Sequence, residues 1–246
     1  MKAILFGGAA AMLLTVSAFG ADLGLPPAPP PPFSWTGCYG GAQAGGGFGQ
    51  KDLTDTVGTF AGFTGFAAAN LNISGYMLGG QIGCDYQFAP NWVIGVEGMA
   101  AGGNIGGSTA VTQPLGIGGD HAAYKDTTDF LTSATARVGF AWDHWLLYAK
   151  GGGAAAGDRY SAVGVFTGTA FDLEGLETRF GWTAGGGIEW AFCRGWSVKL
   201  EYDYYGLGSR SVTFIDANTG NTGPATVKQN IQVIALGLNF HPFQGP

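Results

Sequence analysis

The chain has few of the residues on which enzyme and metal sites depend. It carries three histidines and three cysteines among 246 residues. No CxxC pair is present, and no histidine lies near a cysteine at the spacing of a zinc site. His121, His144 and His241 fall in separate predicted segments, and none shares an evident face with a serine or cysteine nucleophile. We therefore expect no metal, no cofactor and no enzymatic activity.

Charged residues and long apolar runs are also scarce. Only 11% of the residues are charged and the formal net charge is −6, so the chain lacks the basic clusters of a nucleic-acid-binding protein. After residue 20, no window offers about 18 consecutive apolar residues, which excludes membrane-spanning helices. The 46 glycines are accompanied by 13% aromatic residues, which argues against a flexible glycine-rich linker. A membrane protein without spanning helices must be a closed β-barrel, because lipid cannot hydrogen-bond an open sheet edge.

The beginning of the chain is predicted to lie outside the folded part. An uncharged run follows Lys2 and leads to small residues before Gly20, which is the layout of a cleaved secretory signal peptide. Six prolines between Pro26 and Pro32 predict an extended spacer. We divide the chain into a signal peptide (1–20), a proline-rich periplasmic tether (21–34), an outer-membrane barrel region (35–243) and a short tail (244–246).

Apolar and polar residues alternate with a period of two in eight segments, which predicts eight β-strands. The clearest example begins at Trp196, where Lys199, Glu201 and Asp203 alternate with large apolar residues. The predicted strands are 35–49, 74–88, 92–101, 128–142, 145–157, 178–190, 196–207 and 228–241. Three connections are tight turns, and four are long loops covering 50–73, 102–127, 158–177 and 208–227. Because this alternation of short and long connections is typical of outer-membrane barrels, we predict an all-β, eight-stranded antiparallel up-and-down transmembrane β-barrel.

The strand charges all fall on one face of the predicted barrel. When residues such as Val96, Leu200 and Leu236 face lipid, nine charged residues face inward: Asp85, Glu97, Arg137, Lys150, Arg179, Glu189, Lys199, Glu201 and Asp203. A lipid-facing Arg or Lys near the midplane would cost about 2–4 kcal/mol. The five acids and four bases nearly cancel, and an eight-stranded lumen is just wide enough to be filled by side chains. We expect a polar, side-chain-filled interior; the alternative is a narrow porin-like transport channel.

Aromatic residues gather beside the short turns. Rings with an apolar body and a polar edge favour a membrane interface. We therefore predict an outward-facing periplasmic girdle made by Trp35, Trp92, Trp142, Trp145, Trp190 and Trp196, together with Phe88 and Phe240.

The cysteines allow two interpretations. Cys38 and Cys84 are predicted near the periplasmic ends of neighbouring strands, where an oxidising compartment permits a disulfide. Cross-strand disulfide geometry is restrictive, however, and an odd number of cysteines leaves at least one unpaired. With Cys193 in a predicted turn, buried apolar thiols are the favoured interpretation at Cys38 and Cys84.

Several segments resemble one known family. The segments are Phe33–Gly45 (FSWTGCYGGAQAG), Gly80–Phe88 (GQIGCDYQF), Asp143–Gly152 (DHWLLYAKGG), Leu200–Gly208 (LEYDYYGLG) and Leu236–His241 (LGLNFH). They resemble the small outer-membrane β-barrel surface antigens of alphaproteobacteria, known as porin-family or outer-membrane immunogenic proteins. The resemblance extends over most of the chain after Phe33. It implies location in the outer membrane, variable surface loops and, as in some relatives, haemin binding.

The predicted function is that of a structural, surface-exposed protein of the outer membrane. It would support envelope integrity and recognise ligands through its four long extracellular loops. The expected partners are outer-membrane lipid, the barrel-assembly machinery and haemin or a host or phage ligand, with His121 and Tyr124 as the candidate loop residues. Family members usually end on an aromatic residue that assists insertion, whereas here three residues follow Phe243. Either Phe240 or Phe243 serves that role, or insertion is less efficient.

Overall fold

The computed structural model describes residues 33–54, 69–112, 121–166, 169–216 and 222–242. The chain divides into two compact units, 1–31 and 32–246, and all the described residues belong to the second. The predicted signal peptide, most of the predicted tether and the tail lie outside the described residues. Among the residues described, no helix combines the length and apolar character needed to cross a bilayer.

Eight antiparallel strands close into a barrel, as the alternation predicted. In chain order they are β1 (Gly37–Thr54), β2 (Ala69–Ala89), β3 (Trp92–Thr112), β4 (His121–Trp142), β5 (Trp145–Phe166), β6 (Thr169–Cys193), β7 (Trp196–Asp216) and β8 (Thr222–Phe240). Each strand pairs with the next along the chain, and β1 pairs with β8 to complete the ring. Closure leaves no open sheet edge in contact with lipid.

The strands are longer than their alternation indicated. The segments predicted as long loops contain the outer ends of the strands: β3 continues to Thr112 and β4 already begins at His121. Pairing between β4 and β5 shifts by one residue between Thr128 and Phe130. Such a bulge exchanges the inward and outward faces of a strand. The period-two signal is therefore interrupted at this bulge, although the strand continues beyond it.

Two belts of exposed aromatic residues bound the lipid-facing surface. Trp92, Trp142, Trp145, Trp190 and Trp196 are exposed beside the short turns, together with Phe88 and Phe240. A second belt, not predicted from the sequence, comprises Phe48, Tyr76, Phe130, Phe180 and Trp182. About ten residues separate the two belts along β4 and β6, which corresponds to about 25 Å for tilted strands. This is the height of the apolar band of an outer-membrane barrel, so the second belt marks the outer interface.

Trp35 does not belong to the periplasmic girdle, and this prediction is wrong. Its side chain is only 1% exposed and lies in the periplasmic mouth of the barrel. The indole ring contacts Phe33 at 5.3 Å and His241 at 6.1 Å between ring centroids. Trp35 has the same odd-numbered parity as Tyr39 and Gln43, which are buried in the interior. This shared parity indicates that the side chain of Trp35 faces inward.

Cys38 and Cys84 form a disulfide that joins β1 to β2. The favoured interpretation as buried thiols is therefore wrong, because both residues are bonded and both are exposed on the outer face. They are direct partners in the β1–β2 register. A cross-strand partner of this kind can be identified only when the register is known. Cys193 is a free, exposed cysteine at the end of β6.

Candidate functional site

The interior of the barrel is filled by four successive layers of side chains. An apolar floor lies at the periplasmic mouth: Trp35, Val93, Ala141, Leu146, Tyr148 and Ala191. Next comes the lower charge cluster: Asp85, Glu97, Arg137, Lys150, Glu189, Lys199, Glu201 and Asp203. The middle apolar layer follows: Ile73, Met77, Met99, Ala101, Ile105, Leu131, Ala154, Ala156, Tyr205, Leu207, Ile231, Val233 and Ala235. The upper charge cluster is formed by Lys51, Asp126, Asp158 and Arg179.

Glu97 lies at the centre of the lower charge cluster. Its Oε2 accepts hydrogen bonds from the Tyr39 hydroxyl at 2.8 Å and from Lys199 Nζ at 2.9 Å. Its Oε1 accepts a hydrogen bond from Lys150 Nζ at 3.1 Å. All four residues are buried. Because four different strands contribute these residues, the cluster ties together opposite parts of the barrel wall.

The other charges of the lower cluster are paired in the same way. Lys150 Nζ donates to Glu201 Oε1 at 2.5 Å and lies 3.1 Å from Asp203 Oδ2. Arg137 holds the Asp85 carboxylate through two nitrogens, with its Nε 2.7 Å from Oδ1. This two-point pairing is the strong geometry for arginine and a carboxylate. The cluster is therefore a connected network that occupies the width of the lumen.

Neutral donors accompany the excess of carboxylates. The lower cluster contains five carboxylates and three cations. Glu189 accepts hydrogen bonds from Ser197 Oγ at 2.5 Å and from Asn239 Nδ2 at 2.8 Å. The Tyr148 hydroxyl donates to Glu201 Oε2 at 2.6 Å. These hydrogen bonds offset part of the cost of burying more negative than positive charge.

The upper charge cluster contains three residues from the segments predicted as loops. Lys51 Nζ forms ion pairs with Asp126 and with Asp158 Oδ1, the latter at 3.1 Å. Arg179 Nε lies 3.1 Å from Asp158 Oδ2, and its Nη1 donates to the Val227 carbonyl at 2.9 Å. Lys51 and Asp158 continue the inward parity of their strands, so extended alternation could have found them. Asp126 follows the bulge in β4, where the parity changes.

The side-chain-filled interior also contains the middle apolar layer, which lies between the two groups of charged residues. On β5, Ala154 and Ala156 lie between Lys150 below and Asp158 above. On β7, Tyr205 and Leu207 follow Asp203 in the outward direction. The two charge clusters are thus separated along the lumen by a layer of mostly apolar side chains. The inward-facing residues of this layer are small or apolar. Because they carry no charge, the pattern of charges in the sequence does not indicate the layer.

All nine charged residues predicted to face inward are buried in the interior. The structure brings eight of them together in the lower cluster and places Arg179 separately in the upper one. Lipid-facing residues such as Ile94, Val138, Leu147 and Leu238 are exposed on the outer surface. The structure therefore has the strand register that keeps charge away from lipid.

One group of side chains resembles a catalytic arrangement in composition. His241 Nε2 lies 2.9 Å from Ser197 Oγ and 3.6 Å from Glu189 Oε1. The sequence indicates no serine that shares a face with a histidine, so this proximity is a correction. In a catalytic triad the carboxylate orients the second histidine nitrogen. Here Glu189 instead accepts a hydrogen bond from the Ser197 hydroxyl. Among the described residues His241 Nδ1 has no hydrogen-bond partner, and all three residues are almost fully buried.

The proposed ligand-binding residues His121 and Tyr124 lie on β4. In the strand register, His121 is opposite Thr112 and Val165, whereas Tyr124 is opposite Thr109 and Ala162. They therefore occupy the outer end of a strand, contrary to the prediction of a loop. Their side chains lie outside the described part of the structure. Within that part, no group of three or more His, Cys, Asp or Glu residues could hold a metal ion.

A closed eight-stranded wall with two aromatic belts and a packed interior defines a small transmembrane β-barrel. The model of the family described as "Outer membrane protein beta-barrel domain" matches residues 9–240. The chain belongs to this family and is a protein of the bacterial outer membrane.

The named relatives agree with this assignment. The chain is 28% identical to the 31 kDa outer-membrane immunogenic protein of Brucella melitensis, over 98% of this chain and 99% of the relative. Among solved structures it is similar to OprG from Pseudomonas aeruginosa, with 15% identity, coverage of 85% and 98%, and a TM-score of 0.51. It is also similar to the outer membrane protease OmpT from Escherichia coli, with 9% identity, coverage of 85% and 98%, and a TM-score of 0.50. These two structural likenesses show the fold alone.

Proposed function

We propose that the protein is a structural, surface-exposed component of the outer membrane. In this role the barrel supports envelope integrity, and its extracellular strand ends and connections recognise ligands. The observation that carries the proposal is the packed interior. Two ion-paired clusters and two apolar layers fill the lumen, and their side chains are buried. A filled lumen leaves the outer surface as the part that can contact other molecules.

The proposal predicts that the barrel does not conduct ions. Purified protein reconstituted in a planar bilayer is expected to produce no channel events, because ions would have to cross the middle apolar layer. A bacterial porin reconstituted in the same bilayer is the positive control. Regular conductance steps that scale with protein loading would contradict the structural role and favour the transport alternative.

We further propose that the protein is not an enzyme. The name of the Brucella relative describes an immunogenic protein, and no activity is part of that name. The Ser197, His241 and Glu189 group supports the same proposal because its hydrogen bonds stabilise Glu189 inside the barrel. A substrate would have no access to a serine that is 0% exposed.

Ligand recognition is proposed for the outer end of the β3–β4 hairpin. His121 is the candidate contact for a haemin iron and Tyr124 for its ring system. Replacing both with alanine is expected to weaken haemin binding at least about tenfold, since each lost contact is worth about 1 kcal/mol. Absorbance titration of haemin measures this, with His144→Ala in the β4–β5 turn as the control. Equal haemin affinities of the double variant and the control would show that haemin does not bind at this hairpin. The proposed structural role would be unaffected.

A further inference from the structure

The Cys38–Cys84 disulfide faces the hydrocarbon of the membrane. Cys38 and Cys84 are direct partners in the β1–β2 register, and both are exposed on the outer face of the barrel. Along β2, Cys84 lies between Phe88 of the periplasmic girdle and Tyr76 of the outer aromatic belt. The four residues from Phe88 to Cys84 correspond to about 10 Å for tilted strands. The disulfide therefore lies within the apolar band, deeper in the membrane than the girdle.

The outward side chains around the disulfide are apolar. Ile82 and Tyr86, which flank Cys84 on the outer face of β2, are 71% and 59% exposed. On β3, Val96 is opposite Cys84 and is 61% exposed. Because this surface contacts lipid, a water-soluble protein cannot reach the two sulfur atoms once the barrel is inserted.

Formation of a disulfide by exchange requires thiolates. One cysteine thiolate attacks the disulfide of an oxidant, and a mixed disulfide forms as one oxidant sulfur leaves. The second cysteine thiolate attacks the mixed disulfide and releases the oxidant as a dithiol, so two electrons and the two thiol protons pass to the oxidant. An ionised group is costly in hydrocarbon, which disfavours both attacks at the membrane position of Cys38 and Cys84. The two cysteines must therefore be oxidised before the barrel enters the membrane.

β1 has few side chains that could fix its register with β2. Six of the ten residues from Gly40 to Gly49 are glycine, and glycine-rich strands have weakly specified pairing. Tyr39 is held inward by a hydrogen bond to Glu97 at 2.8 Å and by the Arg137 guanidinium, 4.7 Å from the ring centroid. These partners belong to β3 and β4, so they do not act on a hairpin formed by β1 and β2 alone. A covalent bond between directly opposed residues fixes the register at that stage.

The register of β1 also determines how the barrel closes. β1 pairs with β2 on one side and with β8 on the other. A slip of one residue would turn Tyr39, Gln43 and Lys51, which are buried in the interior, toward the outer face. The barrel therefore needs the correct β1–β2 register before β8 joins β1.

We propose that a soluble thiol–disulfide oxidase of the periplasm forms the Cys38–Cys84 disulfide before membrane insertion, and that this bond fixes the β1–β2 register during assembly. Cys38 and Cys84 are separated by 46 residues, whereas Cys193 lies much farther along the chain. Closure of the shorter loop costs less entropy, which favours this pair in the unfolded chain. Cys193 remains a free thiol at the end of β6.

Reduction of the inserted barrel tests the position of the disulfide. Full-length oxidised protein in phosphatidylcholine vesicles is treated with a carboxylate-bearing, membrane-impermeant phosphine, and a maleimide mass tag counts the free thiols. We expect reduction at least about a hundredfold slower than for the same chain in urea, because the charged reagent must enter hydrocarbon. Cys193 is exposed and should be tagged readily in both samples, which shows that the periplasmic end is accessible.

The folding rate tests the role of the disulfide in assembly. The C193S chain is unfolded in urea with its disulfide either intact or reduced, and is then diluted into the same vesicles. Heat-modifiable gel mobility follows the folded fraction. We expect the oxidised chain to fold about tenfold faster, because the bond removes open and slipped hairpins from the unfolded ensemble. The two samples share one sequence, so a change of side chain cannot account for the difference.

Cells that lack the periplasmic oxidase test the partner. The unmodified protein is expected to reach about a tenth of its usual folded amount in these cells, because the chain assembles without the constraint of the disulfide. The C38S/C84S variant has no such disulfide to form, so its folded amount should be low and equal in cells with and without the oxidase. This comparison separates the effect of the Cys38–Cys84 bond from a general effect on the envelope.

Three results would overturn the proposal. Equally fast reduction in vesicles and in urea would show that the disulfide is accessible after insertion. Equal folding rates of the oxidised and reduced chains would show that the bond does not guide assembly. Equal folded amounts of the unmodified protein in cells with and without the oxidase would show that the oxidase is not the partner. A silent or conducting bilayer bears on the proposed structural role and leaves these tests unaffected.

Discussion

Replacing Glu97 with glutamine is expected to lower the free energy of unfolding by about 2–3 kcal/mol. Glu97 is the common partner of Lys150 and Lys199, and it also accepts a hydrogen bond from the Tyr39 hydroxyl. Glutamine has nearly the same volume, so packing is preserved while the negative charge is lost. Lys150 and Lys199 both keep Glu201 as a partner, so the expected loss is that of buried hydrogen bonds to a charged acceptor.

Urea unfolding in detergent micelles, followed by heat-modifiable gel mobility, measures this loss. Asp129→Asn is the matched control, because it breaks an ion pair with Arg159 that is largely exposed, with 3.3 Å between Arg159 Nε and Asp129 Oδ2. The control should change the free energy of unfolding by less than about 1 kcal/mol. Equal effects of the two variants would show that the lower charge cluster is hydrated and does not stabilise the barrel.

The substitution Leu236→Lys is expected to destabilise the inserted barrel by about 2–4 kcal/mol. Leu236 of β8 is 59% exposed and lies about four residues from Phe240 in the periplasmic girdle. That distance corresponds to about 10 Å, which is close to the midplane of an apolar band about 25 Å tall. A charged side chain at this depth must deform the surrounding bilayer or extend toward an interface.

Leu176→Lys is the control for this depth dependence. Leu176 is 78% exposed but lies on β6 beyond Phe180 and the outer aromatic belt. A lysine there is in contact with water or headgroups, so a change of less than about 1 kcal/mol is expected. Folding of both variants into lipid vesicles, followed over a urea series, gives the comparison. Equal costs at the two positions would show that the two aromatic belts do not mark the membrane boundaries.

The eight strands and their sidedness were predictable because both follow from local alternation. In β7, Lys199, Glu201 and Asp203 alternate with Val198, Leu200 and Tyr202, and all three charges are buried inside the barrel. A shift of one residue would have moved these charges into lipid. The cost of that shift is large enough for a single sequence to specify the register of the strand.

The outer half of the barrel was less predictable, for reasons visible in particular residues. Asp126 belongs to the upper charge cluster but follows a bulge that changes the parity of β4. The outer segments were assigned as loops because Gly, Thr and Ser give little alternation, whereas backbone pairing does not depend on that alternation. The same segments contain the bulge between Gly206 and Ser209 of β7, where Gly208 adopts a φ of 68°.

The sequence by itself determined that this protein is a transmembrane barrel with charges enclosed, because lipid penalises every other arrangement of those residues. The tertiary structure decided which charges meet, so that Glu97 joins Lys150 and Lys199 while Arg179 forms a second cluster with Asp158. It also decided that an apolar layer lies between the two charge clusters and that Cys38 is bonded to Cys84. These features depend on contacts between strands, and such contacts are set by register and closure, which no single strand contains.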